Sequence, residues 1–110
     1  MKTNAIILQD AIIKKIEIEL AFVPGFPKMD FIGLPRSKGK DLQEKLKIWL
    51  RLLNLSLPRN KRLVFEIRPA LSNHSVYGLD LSIWLLLVSK LTGKKVMSAY
   101  YSGDFSLLGE

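Results

Sequence analysis

Two hydrophobic periods succeed one another along this 110-residue chain and predict an α+β fold, a mixed β-sheet carrying two helices on one face. The first is a period of two, clearest from Ile12 to Phe22. There Ile12, Ile16, Ile18, Leu20 and Phe22 share one face while Lys15, Glu17 and Glu19 share the other. The second is helical: Leu42, Leu46, Trp49, Leu50 and Leu53 form one stripe. A third observation is the punctuation between them. Gly25-Phe-Pro27 and Gly33-Leu-Pro35 bracket a short segment, and each proline removes a backbone donor where a strand must begin or end.

Taken in order, Ala5 to Gln9 reads as a short strand with Asp10 in the turn, and Ile12 to Phe22 as the half-buried strand that follows. Lys28 to Gly33 is a third strand. The helix then begins near Ser37, an N-cap residue type, and stops at Asn54 ahead of Pro58. Alternation returns from Arg62 to Ile67, with Leu63, Phe65 and Ile67 inward. Leu79 to Leu91 is apolar almost all round, so this second helix must be covered on more than one side, by the sheet alone or by the sheet and a partner. Tyr100 to Leu108 is expected to be the last strand. The predicted order is βββ-α-β-α-β, in one domain spanning residues 1–110, with no internal repeat.

Composition narrows the chemistry. With no cysteine, a disulfide scaffold, a thiolate metal site and a cysteine nucleophile are excluded, and a reducing cytosol suits the chain. The first ten residues lack the apolar run of about 7–15 residues that a signal peptide needs. The longest apolar run, Ile83 to Val88, falls short of the ~20 residues that span a bilayer. A cytoplasmic protein without a membrane partner is the expectation.

The net charge of +7 is concentrated. Ten basic residues lie between Arg36 and Arg68 against three acids, Asp41, Glu44 and Glu66, so one third of the chain carries the whole excess. That points either to an anionic partner or to a solvated helix face. Lys38, Lys40, Lys45, Lys47, Arg51, Arg59, Lys61 and Arg62 are the candidate phosphate contacts. Trp49 and Trp84 fall on apolar faces, so no exposed aromatic ladder for base stacking accompanies them.

Gly33 to Asp41 superficially suggests a phosphate-binding loop, since a strand precedes it and a helix follows. Five residues rather than four separate Gly33 from Gly39, and Asp41 stands where a magnesium-binding hydroxyl belongs. Pro35 removes an amide where donors are wanted. Nucleotide hydrolysis is therefore not expected. His74 is the sole histidine and has no neighbouring ligand set, so no metal or other cofactor is expected.

The run from Gly25 to Ala70 resembles the N-terminal domain of the ComM-type (YifB), magnesium-chelatase-like AAA+ ATPases, often labelled ChlI. The matching elements are Gly25/Pro27, Gly33-Leu-Pro35, the charged helix to Asn54, Pro58, Lys61/Arg62, Leu63–Ile67 and Pro69/Ala70. Leu79-Asp-Leu81 and Gly103-Asp-Phe-Ser-Leu107 continue the likeness. The resemblance implies a Lon-protease-domain-like fold, shared with a small-subunit ribosomal protein domain. It also implies that the chain stops before the end of that fold and lacks the family's ATPase. By the same resemblance, the chain is a non-enzymatic binding and assembly domain tied to DNA processing or natural transformation. DNA, self-association or an AAA+ partner are the implied partners, and the alternative is a pure oligomerisation module. A degenerate Lon-type peptidase is the remaining alternative. Gly78 stands where that nucleophile would be, leaving only a rearranged pairing of Ser72 or Ser75 with Lys90, while Asp80 reads as structural.

Overall fold

A computed structural model describes residues 1–9, 12–71, 76–77, 79–93 and 100–101. Among them the order is β1 (Lys2–Gln9), β2 (Ile12–Pro24), β3 (Lys28–Ile32), α1 (Arg36–Leu52), β4 (Lys61–Arg68), β5 (Val76–Tyr77), α2 (Asp80–Thr92) and β6 (Tyr100–Tyr101). The sheet runs β3-β4-β2-β1-β5, with β6 also paired to β1. β1 with β2 and β2 with β4 are antiparallel, whereas β3 and β4 are parallel and joined through α1. A parallel pair cannot be closed by a tight turn, and the crossover helix supplies the required connection.

The core lies on one face. Ile18 pairs with Ile67 and Leu20 with Phe65 across β2 and β4, so the buried sets of both strands point the same way. Leu42, Leu46 and Leu50 of α1 and Ile83, Leu86 and Leu87 of α2 join the same cluster. Both helices therefore cover that face. Phe31 of β3 stacks on Phe65 at 4.9 Å between ring centroids, a pairing that contributes about 0.5–1.5 kcal/mol beyond burial. The opposite face is solvated, and there Arg68 bridges Glu17 at 2.6 Å and Glu19 at 3.1 Å and also pairs with Glu66.

The departures from expectation have physical causes. β1 extends back to Lys2 because the 13-residue β2 offers a ladder along its whole length, so that even Met1 exchanges backbone bonds with Leu20. Ile12 is 58% exposed rather than inward, since the end of the hairpin is left uncovered by the helices. Ser37 does not cap α1. Pro35 is the N-cap residue, without a side-chain cap bond, and its carbonyl accepts the first helical bond from Gly39 at 3.0 Å. Asn54 does end the helix, at φ 56°. Its amide bonds to Arg51 O and that of Leu55 to Leu50 O, the two bonds of a Schellman motif. Leu53 is exposed instead of joining the stripe.

Most of α2 is covered within the chain, with Leu81, Leu85, Val88 and Leu91 half-buried. Ile83, Trp84, Leu86 and Leu87 are buried by the chain's own sheet and α1, and none of its large apolar side chains is exposed. β5 is unforeseen because two residues are too short to show a period. Of the expected last strand, Tyr100–Tyr101 is β6, while the remainder lies outside the described residues, as does Asp10.

Candidate polyanion-binding surface

The turn from Gly33 to Asp41 is shaped by packing. Gly33 adopts φ +94°, and a Cβ there would lie 2.4 Å from the Ile67 carbonyl oxygen. Only glycine passes so close to the backbone of β4. The Gly33 carbonyl in turn accepts the Leu71 amide at 2.7 Å, tying the turn to the far end of β4. Gly39 is buried against Phe31, where an added Cβ would sit 3.4 Å from the Phe31 Cβ. Both glycines let α1 seat on β3, and neither frames a phosphate.

That seating fixes the rotation of α1 and so sorts its cations. One flank faces α2, where Trp49 meets Trp84 with centroids 6.1 Å apart. On this flank Lys45 Nζ donates to Asp80 Oδ2 at 3.3 Å, and Lys38 Nζ lies 3.4 Å from Asp80 Oδ1. The latter contact is an ion pair without hydrogen-bond geometry, so Oδ1 has no hydrogen-bond partner among the described residues. The Asp80 side chain is 1% exposed. A buried carboxylate needs such cations, because taking it out of water unpaired is costly. Asp80 also stands in the first turn of α2, where its charge complements the helix dipole. Lys38 and Lys45, two of the expected phosphate contacts, thus serve as Asp80's counterions, with side chains 25% and 47% exposed. Arg62 is paired in a similar way: its Nε lies 2.5 Å from Asp30 Oδ2, with Lys28 at 3.5 Å from the other oxygen.

The other flank differs. Arg36, Lys40, Lys47 and Arg51 recur at helical spacing on the side of α1 turned toward β3, and all four are exposed. Arg59 and Lys61 follow in the connection to β4 and its first residue. None of these six takes part in a described ion pair. The row from Arg36 to Arg51 covers about 22 Å at 1.5 Å per residue. A depression of about 400 Å³ lies beside its lower end, lined by Lys47, Leu50, Arg51, Leu55, Ser56 and Leu57. Arg36 was not among the residues expected from sequence. Its position in the 36/40/47/51 row is visible on a helical wheel once the core stripe is known.

The residues considered for peptidase chemistry divide. Ser72, His74, Ser75 and Gly78 lie outside the described residues. Lys90 Nζ sits over the Phe22 ring, 5.3 Å from its centroid, in a cation–π contact. Among the described residues no group of acidic, histidine or cysteine side chains could hold a metal ion, and no helix is long and apolar enough to cross a membrane. Comparison with protein-family models and with curated proteins returns no match.

Proposed function

We propose that this chain is a non-enzymatic binding module that holds a nucleic-acid backbone along the outer flank of α1 and the connection to β4. The observation that carries the reading is the sorting of cations. Lys40, Lys47, Arg51, Arg59 and Lys61, with Arg36, share one surface and lack described ion pairs, whereas Lys38, Lys45 and Arg62 are neutralised by aspartates. Exposed guanidinium and ammonium groups supply salt-dependent affinity for phosphate without reading base sequence. The resemblance to the ComM-type ATPases supports DNA as the nucleic acid and a cytoplasmic, ATPase-associated role. The β3-α1-β4 crossover, with a second helix on the same face, suits the Lon-protease-domain-like fold of that family.

The test is binding of the chain to labelled single- and double-stranded DNA across salt. About five phosphate contacts on duplex DNA give a log–log salt slope near −4.5. Replacing Lys47, Arg51 and Lys61 together by glutamate should abolish binding, while Lys38→Met should leave the slope unchanged. Absence of binding by the unaltered chain at low salt would overturn the proposal.

Self-association is the second reading, favoured by Ile48, Leu52 and Leu53, which are 53%, 68% and 53% exposed near the C-terminal end of α1. A Leu52→Glu variant that converts a concentration-dependent oligomer to monomer in sedimentation would select it.

A further inference from the structure

The outer edge of β3 is a second open feature. β3 ends the sheet among the described residues, so one side of its backbone from Lys28 to Ile32 meets no described strand. Beside it lies a groove of about 560 Å³ between the strand and the N-terminal half of α1. Its floor is apolar, formed by Met29, Phe31 and Leu34, and it is deepened where Gly39 presents no side chain. Its rim is cationic, with Arg36 and Lys40. The one acid on the lining, Asp30, is already neutralised by Arg62 and Lys28.

We infer that this groove receives an extended, acidic segment of a partner protein, added to the sheet as a strand beside β3. A sheet edge offers main-chain donors and acceptors to an incoming strand. Alternate side chains of such a strand point to one face, so apolar residues at every second position reach Met29, Phe31 and Leu34. Acidic residues along the segment answer Arg36 and Lys40. Charge decides against a second copy of this chain, because pairing β3 with its twofold mate brings two cationic α1 flanks together. Nucleic acid suits the groove poorly, since the floor is apolar and the Phe31 ring is already stacked on Phe65. The groove shares Arg36 and Lys40 with the proposed polyanion surface, whose remaining cations, Lys47, Arg51, Arg59 and Lys61, lie outside it.

The experiment uses a fluorescein-labelled heptapeptide alternating valine and glutamate, its lysine-for-glutamate counterpart, and duplex DNA, each titrated against the whole chain. The expected result is saturable binding of the acidic peptide, with slowed amide exchange at Met29–Ile32 and no binding of the lysine peptide. Gln43→Trp, which fills the groove from the helix without changing charge, should weaken the peptide at least tenfold and leave DNA affinity unaltered. Should Gln43→Trp misfold, Met29→Ala, which removes apolar floor without touching a cation, should weaken the peptide and spare DNA, whereas Arg36→Glu with Lys40→Glu should impair both ligands. Lys47→Glu with Arg51→Glu should do the reverse, impairing DNA and sparing the peptide. No binding of the acidic peptide, equal binding of the lysine peptide, or parallel loss of DNA and peptide in Gln43→Trp would each overturn the inference.

Discussion

The two flanks of α1 carry the same kinds of cation into opposite surroundings. On the flank facing α2, Lys38 and Lys45 converge on one buried carboxylate, Asp80. On the flank facing β3, Arg36, Lys40, Lys47 and Arg51 meet solvent and take part in no described ion pair. A lysine two residues along a helix is rotated by about 200°, so neighbours such as Lys38 and Lys40 face different partners. The difference teaches that a basic segment is not one surface. What a cation is free to bind depends on the acid that another element brings to it.

The largest expected effect comes from the turn on which both flanks depend. Gly33→Ala forces a side chain against the Ile67 carbonyl at a positive φ. Backbone strain and overpacking together should cost about 2–5 kcal/mol, measured as a fall in the urea midpoint. A change below about 0.5 kcal/mol, the level of an ordinary surface substitution, would show that the turn adjusts and that the seating of α1 does not rest on it.

Removing the acid should make the flanks alike. Asp80→Asn deletes the charge that holds Lys38 and Lys45, whose side chains are 25% and 47% exposed and can turn toward water. That partial exposure limits the loss to about 1–3 kcal/mol, below the cost of stranding a fully buried charge. The two released ammonium groups should raise DNA affinity at low salt and steepen its salt dependence. A stability loss with no gain in binding would mean that the inner flank remains turned away from DNA once its counterion is gone.

The smallest effect belongs to a third set of charges, on the open face of the sheet. A hydrogen bond from Arg68 holds the Glu17 carboxyl below its ordinary range. A carboxyl whose value is depressed in the folded state stabilises it above the unfolded value. That contribution fades as pH falls through the folded one. Because Glu17 is solvent-exposed, the slope of the urea midpoint between neutral and acid pH should be shallow, and Arg68→Gln should flatten it further. An unchanged slope in that variant would show that other carboxyls govern the acid limb.

Much of the architecture was legible because it repeats at short range. The alternation in β2 and β4, the leucine stripe of α1 and the Asn54 stop are local patterns, and they settle where expected except at the element ends, where Ile12 and Leu53 are exposed. The N-terminus of α1 was not legible in the same way. Ser37 has the side chain of a cap, but the Gly33-Leu34-Pro35 turn, tied to Leu71, starts the helix earlier. The all-apolar look of α2 was ambiguous between a partner and the chain's own sheet, since composition records that a face is buried and not what buries it.

The candidate site was half visible. Eight cations could be named from their clustering, yet three of them, Lys38, Lys45 and Arg62, are claimed by aspartates. Lys45 and Asp80 lie 35 residues apart, and no local spacing predicts that they meet. By itself the sequence determined the periods of the elements, the glycines where backbone approaches backbone, and the third of the chain that carries the charge. Only the tertiary structure decided which cations remain exposed and where a groove opens beside β3. Those follow from the rotation of α1 on the sheet and from the docking of α2 against it, and contacts between distant residues set both.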